Sequence, residues 1–506
     1  MQGFDQKMYT TWYNTYDMYR RPSKKKEIIR RTLVYSAMTL TVLITVAGLI
    51  FVILGYRIDT DNRRVERSAL VQYKTIPSGS SVKIDGKDLG IRTPSKSTVI
   101  EGTYKFEMQR DGYEVWQKTL DIKAGTLTWL NYSRLVPKNR PVVSLANYPV
   151  LHASLGTYEG QAIVLQSDAL LPSFRLVDVR SDDIKTTTIT LPTTVYSEPA
   201  TPGVTHSFRM DSWDTGGRYL IVEHTYADKK EWLVVDTHDV NLSKNMSTLL
   251  GVDITRVVFS GTSGNILYAL TNGDIRKLDL SVGTMSRPLV SGVLSFEIFK
   301  TDVITYVGTN PTNQTQRVVG LYREGDVSPH VLRTVSSSTI VPLHITTSQY
   351  FNQDYIAISE GGQVDILSGS YPTSSTDTDT NMTKLVSFNM DSNVDQLSFS
   401  PTGFYLVAQS GSKLTSYDIE HKLVGTSTIA GDASATAYVK WLDDDHLWSN
   451  IGDSLTMRDF DGTNFISINT AAGGHDAMLT QNDRFIYSIG KTTTGYQLQR
   501  VRMILP

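Results

Sequence analysis

The densest concentration of proton- and metal-handling side chains in the sequence is WLDDDHLW, residues 441–448, where Asp443, Asp444 and Asp445 run into His446. Hard cations take several carboxylate oxygens at once, so this run is a candidate cation site. The same run also reads as a solvated loop between strands, and that is the reading adopted. STDTDTNMT, residues 375–383, invites the calcium idea again but lacks the glycine and terminal glutamate of an EF-hand loop, and reads as a polar loop. His206, His224 and His475 stand isolated and form no triad. No G-x-S-x-G elbow, H-E-x-x-H, Walker loop or dinucleotide glycine fingerprint occurs. No catalytic, cofactor-binding or metal-ligating residue is therefore assigned, no cofactor is expected, and the binding residues are unknown.

These residues must be held by a chain of 506 residues, too long for one ordinary core. With 49 basic and 51 acidic side chains the net charge is −2, which gives no overall field for nucleic acid. The absence of cysteine removes disulfides, thiolate zinc sites and cysteine nucleophiles together. A domain outside the cytoplasm would have to be stable by packing alone.

Thr32 to Tyr56, TLVYSAMTLTVLITVAGLIFVILGY, carries no charge over 25 residues. As a helix it would span about 37 Å at ~1.5 Å per residue, enough to cross a hydrocarbon core of roughly 30 Å. The run exceeds a usual signal-peptide h-region and no clear small-x-small cleavage site follows, so residues 32–56 read as a retained single-pass anchor in the lipid bilayer. Arg20, Arg21, Lys24, Lys25, Lys26, Arg30 and Arg31 precede it, against Arg57, Arg63, Arg64, Arg67 and Lys74 after it. That excess puts the tail, residues 1–31, in the cytoplasm and the rest outside. Within the tail, Phe4, Met8, Tyr9, Trp12, Tyr13, Tyr16 and Tyr19 recur at helical spacing, either as an aromatic stripe on an interfacial helix or as chance bias in a disordered tail. Residues 57–69 have too few apolar side chains for a core and read as a stalk.

Period-two alternation then begins. Val82 and Ile84 precede Asp85-Gly86, a two-residue hairpin signal; Tyr104, Phe106 and Met108 alternate before Asp111-Gly112; Tyr113, Val115, Leu120 and Ile122 continue the strands. IPSGSSVKIDGKDLGIRTP followed by VIEGTYKFEMQRDGYEVW resembles the PEGA domain, with its P-S-G-x opening, V-x-I-D-G-K, a G-x-x-T-P turn approximated by Gly90, Thr93 and Pro94, and a later G-x-Y strand ending at G-Y. Ser80 stands where that family often has alanine. The resemblance covers residues 70–137. It implies a small β-sandwich-like module of a bacterial or archaeal envelope protein, with no catalytic residue, acting as a spacer beside the membrane.

Residues 140–506 alternate throughout and are rich in Thr, Ser, Gly and Asp, so they read as all-β. Strands ending in aspartate recur: FRLVDV with Asp178, WLVVDT with Asp236, IRKLDL with Asp279, LTSYDI with Asp418 and LTMRDF with Asp459, separated by 58, 43, 139 and 41 residues. The long gap holds weaker counterparts, VVGLY ending at Tyr322 and QVDIL ending at Leu367, and YQLQRVR falls one period after Asp459. Eight units at this period predict an eight-bladed β-propeller; seven blades are the competitor because of the 58-residue interval. FSPTGFYLVAQSGSKLTSYD resembles single repeats of WD40-like and TolB-like propellers, whose strands enter through an S-P-x-G turn. The last unit is one strand short, and RPVVSLAN, residues 140–147, is predicted to complete it.

The sequence thus predicts a mainly β chain with a single N-terminal transmembrane helix: cell membrane, single-pass, C-terminal domains extracytoplasmic. Its expected role is that of a binding or scaffold protein of the cell envelope, not an enzyme, whose propeller presents loops to an envelope protein or cell-wall polymer. The alternative is an extracytoplasmic propeller hydrolase or lyase acting on glycan or peptidoglycan through dispersed carboxylates.

Overall fold

The computed structural model describes residues 24–53, 56–59, 64–145, 150–155, 162–198, 203–261, 263–336, 341–371, 381–429, 438–493 and 495–506. The aromatic stripe Phe4–Tyr19, Arg20, Arg21 and residues 375–380 lie outside the described residues. The first element is the helix Lys24–Ile53, so the basic run Lys24, Lys25, Lys26, Arg30 and Arg31 is part of the helix and not a flank to it. Its length and hydropathy over Lys24–Phe51 are those of a membrane span or a signal sequence.

Two compact units follow from the chain's contacts. One comprises Met1–Gln72, Lys96–Tyr104 and Thr119–Trp129; the other comprises Tyr73–Ser95, Lys105–Lys118 and Leu130–Pro506. In the first, the segment read as a stalk is strand: Tyr56–Asp59 pairs antiparallel with Arg64–Ile76. Counting large apolar side chains missed it, because Ser68 and Ala69 are small and are buried nonetheless.

In the second unit, Ser81–Ile84 and Lys87–Arg92 are joined by Asp85-Gly86, both at positive φ (48° and 78°), as a two-residue hairpin turn requires. Thr93 explains one threonine of the G-x-x-T-P pattern. Its hydroxyl accepts from the backbone N–H groups of Gly79 (3.2 Å) and Ser80 (3.0 Å) and lies 2.6 Å from the Thr75 hydroxyl, tying the loop before one strand to the turn after the next.

The remainder of this unit forms eight four-stranded antiparallel sheets among the described residues. We number them blades 1 to 8 in chain order and letter the strands A to D. Blade 6 is typical: Gln396–Phe399, Tyr405–Ser410, Lys413–Asp418 and Leu423–Thr428. Its B strand is buried at every position, because a blade interior has neighbouring sheets on both faces. Between blades 2 and 3, for example, Ile221, Trp232 and Val234 pack with Val257, Leu267 and Ala269. The weaker repeats around Tyr322 and Leu367 are the C strands Asn313–Arg323 and Gln363–Ser370, so the count of eight stands. The 58-residue interval arises from the long connection 191–205 between blades 1 and 2.

The predicted closure is present. Val142–Ser144 is the D strand of blade 8, pairing Val142 with Val501, Val143 with Arg500 and Ser144 with Gln499. The first and last strands of the ring thus share one sheet, which removes a free edge.

The S-P-x-G turn has a steric reason. Gly403 closes it by donating to the Ser400 carbonyl at 2.9 Å, with φ +81°. A Cβ there would lie 2.3 Å from Ser348 Oγ and 2.9 Å from the Gln349 carbonyl of blade 5. Gly403→Ala is therefore expected to destabilise the protein by more than about 1 kcal/mol, through the left-handed backbone and the backbone contact together. Gly411→Ala, also at positive φ (54°) but with nothing within 4 Å of its Cβ, should cost less. Urea denaturation of the two variants checks the order.

Candidate functional site

Asp443 to Asp445 form the A–B turn of blade 7, between Lys440–Trp441 and His446–Ile451. The solvated-loop reading is overturned: His446 is 1 % exposed and the Asp443 carboxylate turns inward to Arg134, with Asp444 and Asp445 half-buried beside it. Arg134 Nη2 donates to Asp443 Oδ2 and to Asp483 Oδ1, both at 2.8 Å. Asp443 Oδ1 also accepts from His446 Nδ1 and from the backbone N–H groups of Asp445 and His446, each at 2.8 Å. Close by, Trp116 Nε1 donates to Asp459 Oδ2 at 3.0 Å and Lys118 Nζ to Asp461 Oδ2 at 2.5 Å. The Lys118 ammonium also sits 4.9 Å from the Tyr132 ring centre, and Tyr132 packs edge-on against Trp116 and Phe460.

The acidic run is thus one half of a buried junction. The other half comes from Trp116, Lys118, Tyr132 and Arg134 of the same unit, more than 300 positions away in the chain, which is why the run looked solvated in the sequence. Burial pushes the Asp443 carboxyl up, but the charges of His446 and Arg134 and their hydrogen bonds outweigh it and hold it well below the usual range. For Asp445 burial wins, helped by the negative charges of Asp443 and Asp444, and its carboxyl rises to about 6. Among the described residues no group of three His, Asp or Glu side chains is arranged to hold a metal ion.

The histidines are not isolated either. His206 begins the A strand of blade 2 and His224 lies in its B strand, where the register sets Phe208 opposite His224 and His206 opposite Tyr226. His206 Nδ1 lies 2.9 Å from His224 Nε2, and His224 Nδ1 lies 2.7 Å from Glu231 Oε1. Ser197 donates to both oxygens of Glu231, through N–H and Oγ–H, each at 2.8 Å. Burial raises the Glu231 carboxyl, yet the donors His224, Ser197 and Asn245 outweigh it and bring it to about 2. An ionised Glu231 requires the proton on His224 Nδ1. A neutral His224 then accepts at Nε2 from His206, leaving His206 Nε2 with no partner among the described residues. A folded hairpin about residues 214–218 would have revealed this pair in the sequence. His475 stays apart, edge-on to Tyr496.

Four of the five recurring aspartates prove to be turn formers, while Asp459 accepts from the side chains of Trp116, Thr463 and Asn464. Asp178, Asp236 and Asp279 each accept the backbone N–H two residues on, and Asp418 that three on, at 2.8–3.0 Å. Each carboxylate bends a C strand into its D strand, which accounts for the repeat without catalysis. At the same end of the blades, where A–B and C–D turns lie, apolar side chains point into solvent. Leu242, Val282 and Val327 occupy C–D turns of blades 2, 3 and 4, and Phe351 the A–B turn of blade 5; Val327 and Phe351 are each 83 % exposed.

Comparison with known proteins gives two findings. Residues 70–138 match the model of the PEGA domain. In fold, the chain is similar to Hsv2 of Kluyveromyces lactis, at 11 % identity over 70 % of this chain and 99 % of that one, with a TM-score of 0.37. It is also similar to the β-propeller domain of Cps50 (Swd1) of Myceliophteria thermophila, at 8 % identity over 72 % and 99 %, with a TM-score of 0.36. The likeness to these structures is one of fold alone. No curated protein matches the chain.

Removing the Arg134 guanidinium leaves two carboxylates facing a dry junction. Arg134→Ala should cost on the order of 3 kcal/mol or more, whereas Arg180→Ala, which breaks an exposed pair with Asp178, should cost less than about 1 kcal/mol in the same denaturation assay. Asp445 predicts a pH effect of opposite sign to ordinary carboxylates. Its folded value of about 6 lies above the ordinary aspartate value of 3.8, so its stabilisation is complete below that lower value and is lost as pH rises through 6. Asp445→Asn, neutral throughout, should raise Tm at pH 7.5 relative to the parent by more than it does at pH 4.5; an equal change at both would count against the assignment.

Proposed function

We propose that the protein is a membrane-anchored scaffold of a bacterial cell envelope. The helix crosses the membrane with its N-terminus cytoplasmic, and the ring outside presents the A–B and C–D turns to a protein or polymer partner. The observation that carries this reading is the pairing of opposites at one end of the ring. The turns of blades 7 and 8 are covered by Lys118 and Arg134 through buried ion pairs, while the apolar tips of blades 2 to 5 are left in water. Exposed apolar side chains on a rigid frame favour association, and the frame needs no ordering when a partner arrives.

A second reading, an extracytoplasmic hydrolase or lyase acting on glycan or peptidoglycan, has one observation in its favour. The chain Ser197–Glu231–His224–His206 ends on a free imidazole nitrogen backed by a carboxylate, which suits a proton acceptor.

Pull-down with the full chain in detergent micelles, from native membranes and cell-wall polymer, tests both. The scaffold reading expects a partner retained by the parent and lost by the double variant Val282→Asp/Val327→Asp. Release of shortened glycan that stops on His206→Ala would overturn it in favour of the enzyme. Digestion of the ring by protease added outside spheroplasts is the expected topology result; protection of the ring would refute the proposed orientation.

A further inference from the structure

Between the A–B turn of blade 5 and the C–D turn of blade 6 an open groove of about 450 Å³ is lined by Tyr350, Phe351, Asn352, Gln353, Tyr355, Ile419 and Glu420. Its walls are costly to maintain. Phe351 sits at φ +51°, where bulky residues are rare, and is 83 % exposed, so its ring gains little from burial. Tyr350 is held in place: its ring meets Phe351 edge-on at 4.6 Å and Phe404 at 4.9 Å, and its hydroxyl donates to Glu420 Oε2 at 3.0 Å.

The charge of the groove is negative, from Glu420 in its lining and Asp418 beside it, both of which act on the Tyr350 hydroxyl. Glu420 is the only ionised side chain among its lining residues, and its Oε1 has no partner among the described residues. Of the basic groups nearby, His421 Nδ1 binds Asp418 at 2.8 Å while also feeling the Glu420 charge, Lys300 donates to Gln349, and Lys422 is exposed at positive φ. Ring faces carry negative potential, so aromatic walls beside an open carboxylate oxygen attract a cation. The amides of Asn352 and Gln353 add hydrogen-bonding groups at the rim. A flat cation that stacks on a ring while donating in its plane to a carboxylate uses all of these features, and guanidinium has that shape.

We propose that this groove receives an arginine side chain presented by a protein partner. The inference rests on the scaffold reading for its choice of a protein, and it names the chemistry by which blades 5 and 6 would recognise that protein. The guanidinium stacks on Phe351 or Tyr350 and donates to Glu420 Oε1.

The test uses the full chain in micelles and two small probes, N-acetyl-arginine amide and its neutral isostere N-acetyl-citrulline amide, with binding followed by saturation-transfer NMR. Arginine should bind roughly tenfold more tightly than citrulline, as one cation–π contact and one charged hydrogen bond would give. Glu420→Gln should erase the preference, and Phe351→Ala should weaken both probes. Equal binding of the two probes, or a preference that survives Glu420→Gln, overturns the proposal. So does tighter binding of a glucosamine oligomer than of the arginine probe, which would assign the groove to an amino sugar. Loss of the arginine preference while partner capture still depends on Val282 and Val327 would remove the groove and leave the scaffold reading standing; loss of that dependence with the preference intact would do the reverse.

Discussion

Arg134 is a guanidinium removed from water, and much of the second unit depends on how it is compensated. Its side chain is 4 % exposed and lies between Asp443 of blade 7 and Asp483 of blade 8. A buried pair of this kind adds little net stability over a well-packed apolar contact, because desolvation offsets most of the attraction. What it supplies here is placement. Only one seating of residues 130–138 sets the fork against carboxylates from two different blades, and any slip strands a charge. Val136 then enters the blade 7–8 core beside Trp448 and Met457, and the backbone N–H of Leu505 donates to Tyr113 Oη at 2.8 Å. The apolar contacts give the energy of the junction, and the ions select which contacts are made.

Ring closure follows from the same economy in a chain without cysteine. An open eight-sheet array would expose the C strand of its last blade and tear from either end. Borrowing Val142–Ser144 from the start of the ring closes that edge by backbone hydrogen bonds. The chain that enters this strand has just left the Arg134 junction, so closure and junction are separated by few residues and hold each other in register. Arg458 shows the limit of such arrangements. It is buried in blade 7 with, among the described residues, only the Ser449 and Thr456 hydroxyls as hydrogen-bond partners, and burial lowers it to about 10. Its face-on contact with Phe465, at 4.9 Å, is a weaker compensation than a carboxylate.

What could be read from the sequence was whatever is decided locally. Asp85-Gly86 and Gly403 signal their turns because only certain residues tolerate positive φ. The aspartate repeat was visible for a similar reason: four of its five carboxylates serve a backbone N–H two or three residues away, so the spacing of the blades is written in single letters. The stalk was misread because a strand can bury small side chains, which hydropathy does not register. The acidic run was misread because solvation is a property of partners, and Arg134 and Lys118 are not local to Asp443 and Asp461. His206 and His224 lie between these cases, paired across a hairpin whose register was within reach of the sequence but which composition alone did not reveal.

The placement of the junction bears on how the open turns can work. Trp116, Lys118 and Arg134 reach the same end of the ring that carries Leu242, Val282, Val327 and Phe351, because all of these contacts fall on A–B and C–D turns. A ring tied there by one flexible strand would let its tips sample many directions, and each binding event would have to freeze them. Two ion-paired blades and a shared apolar core remove that freedom beforehand, so the cost of orienting the tips falls on folding and not on recognition. The same rigidity makes a mutation in the junction legible at a distance. Loosening Arg134 changes no atom of the tips, yet it frees the seat of residues 130–138 against blades 7 and 8.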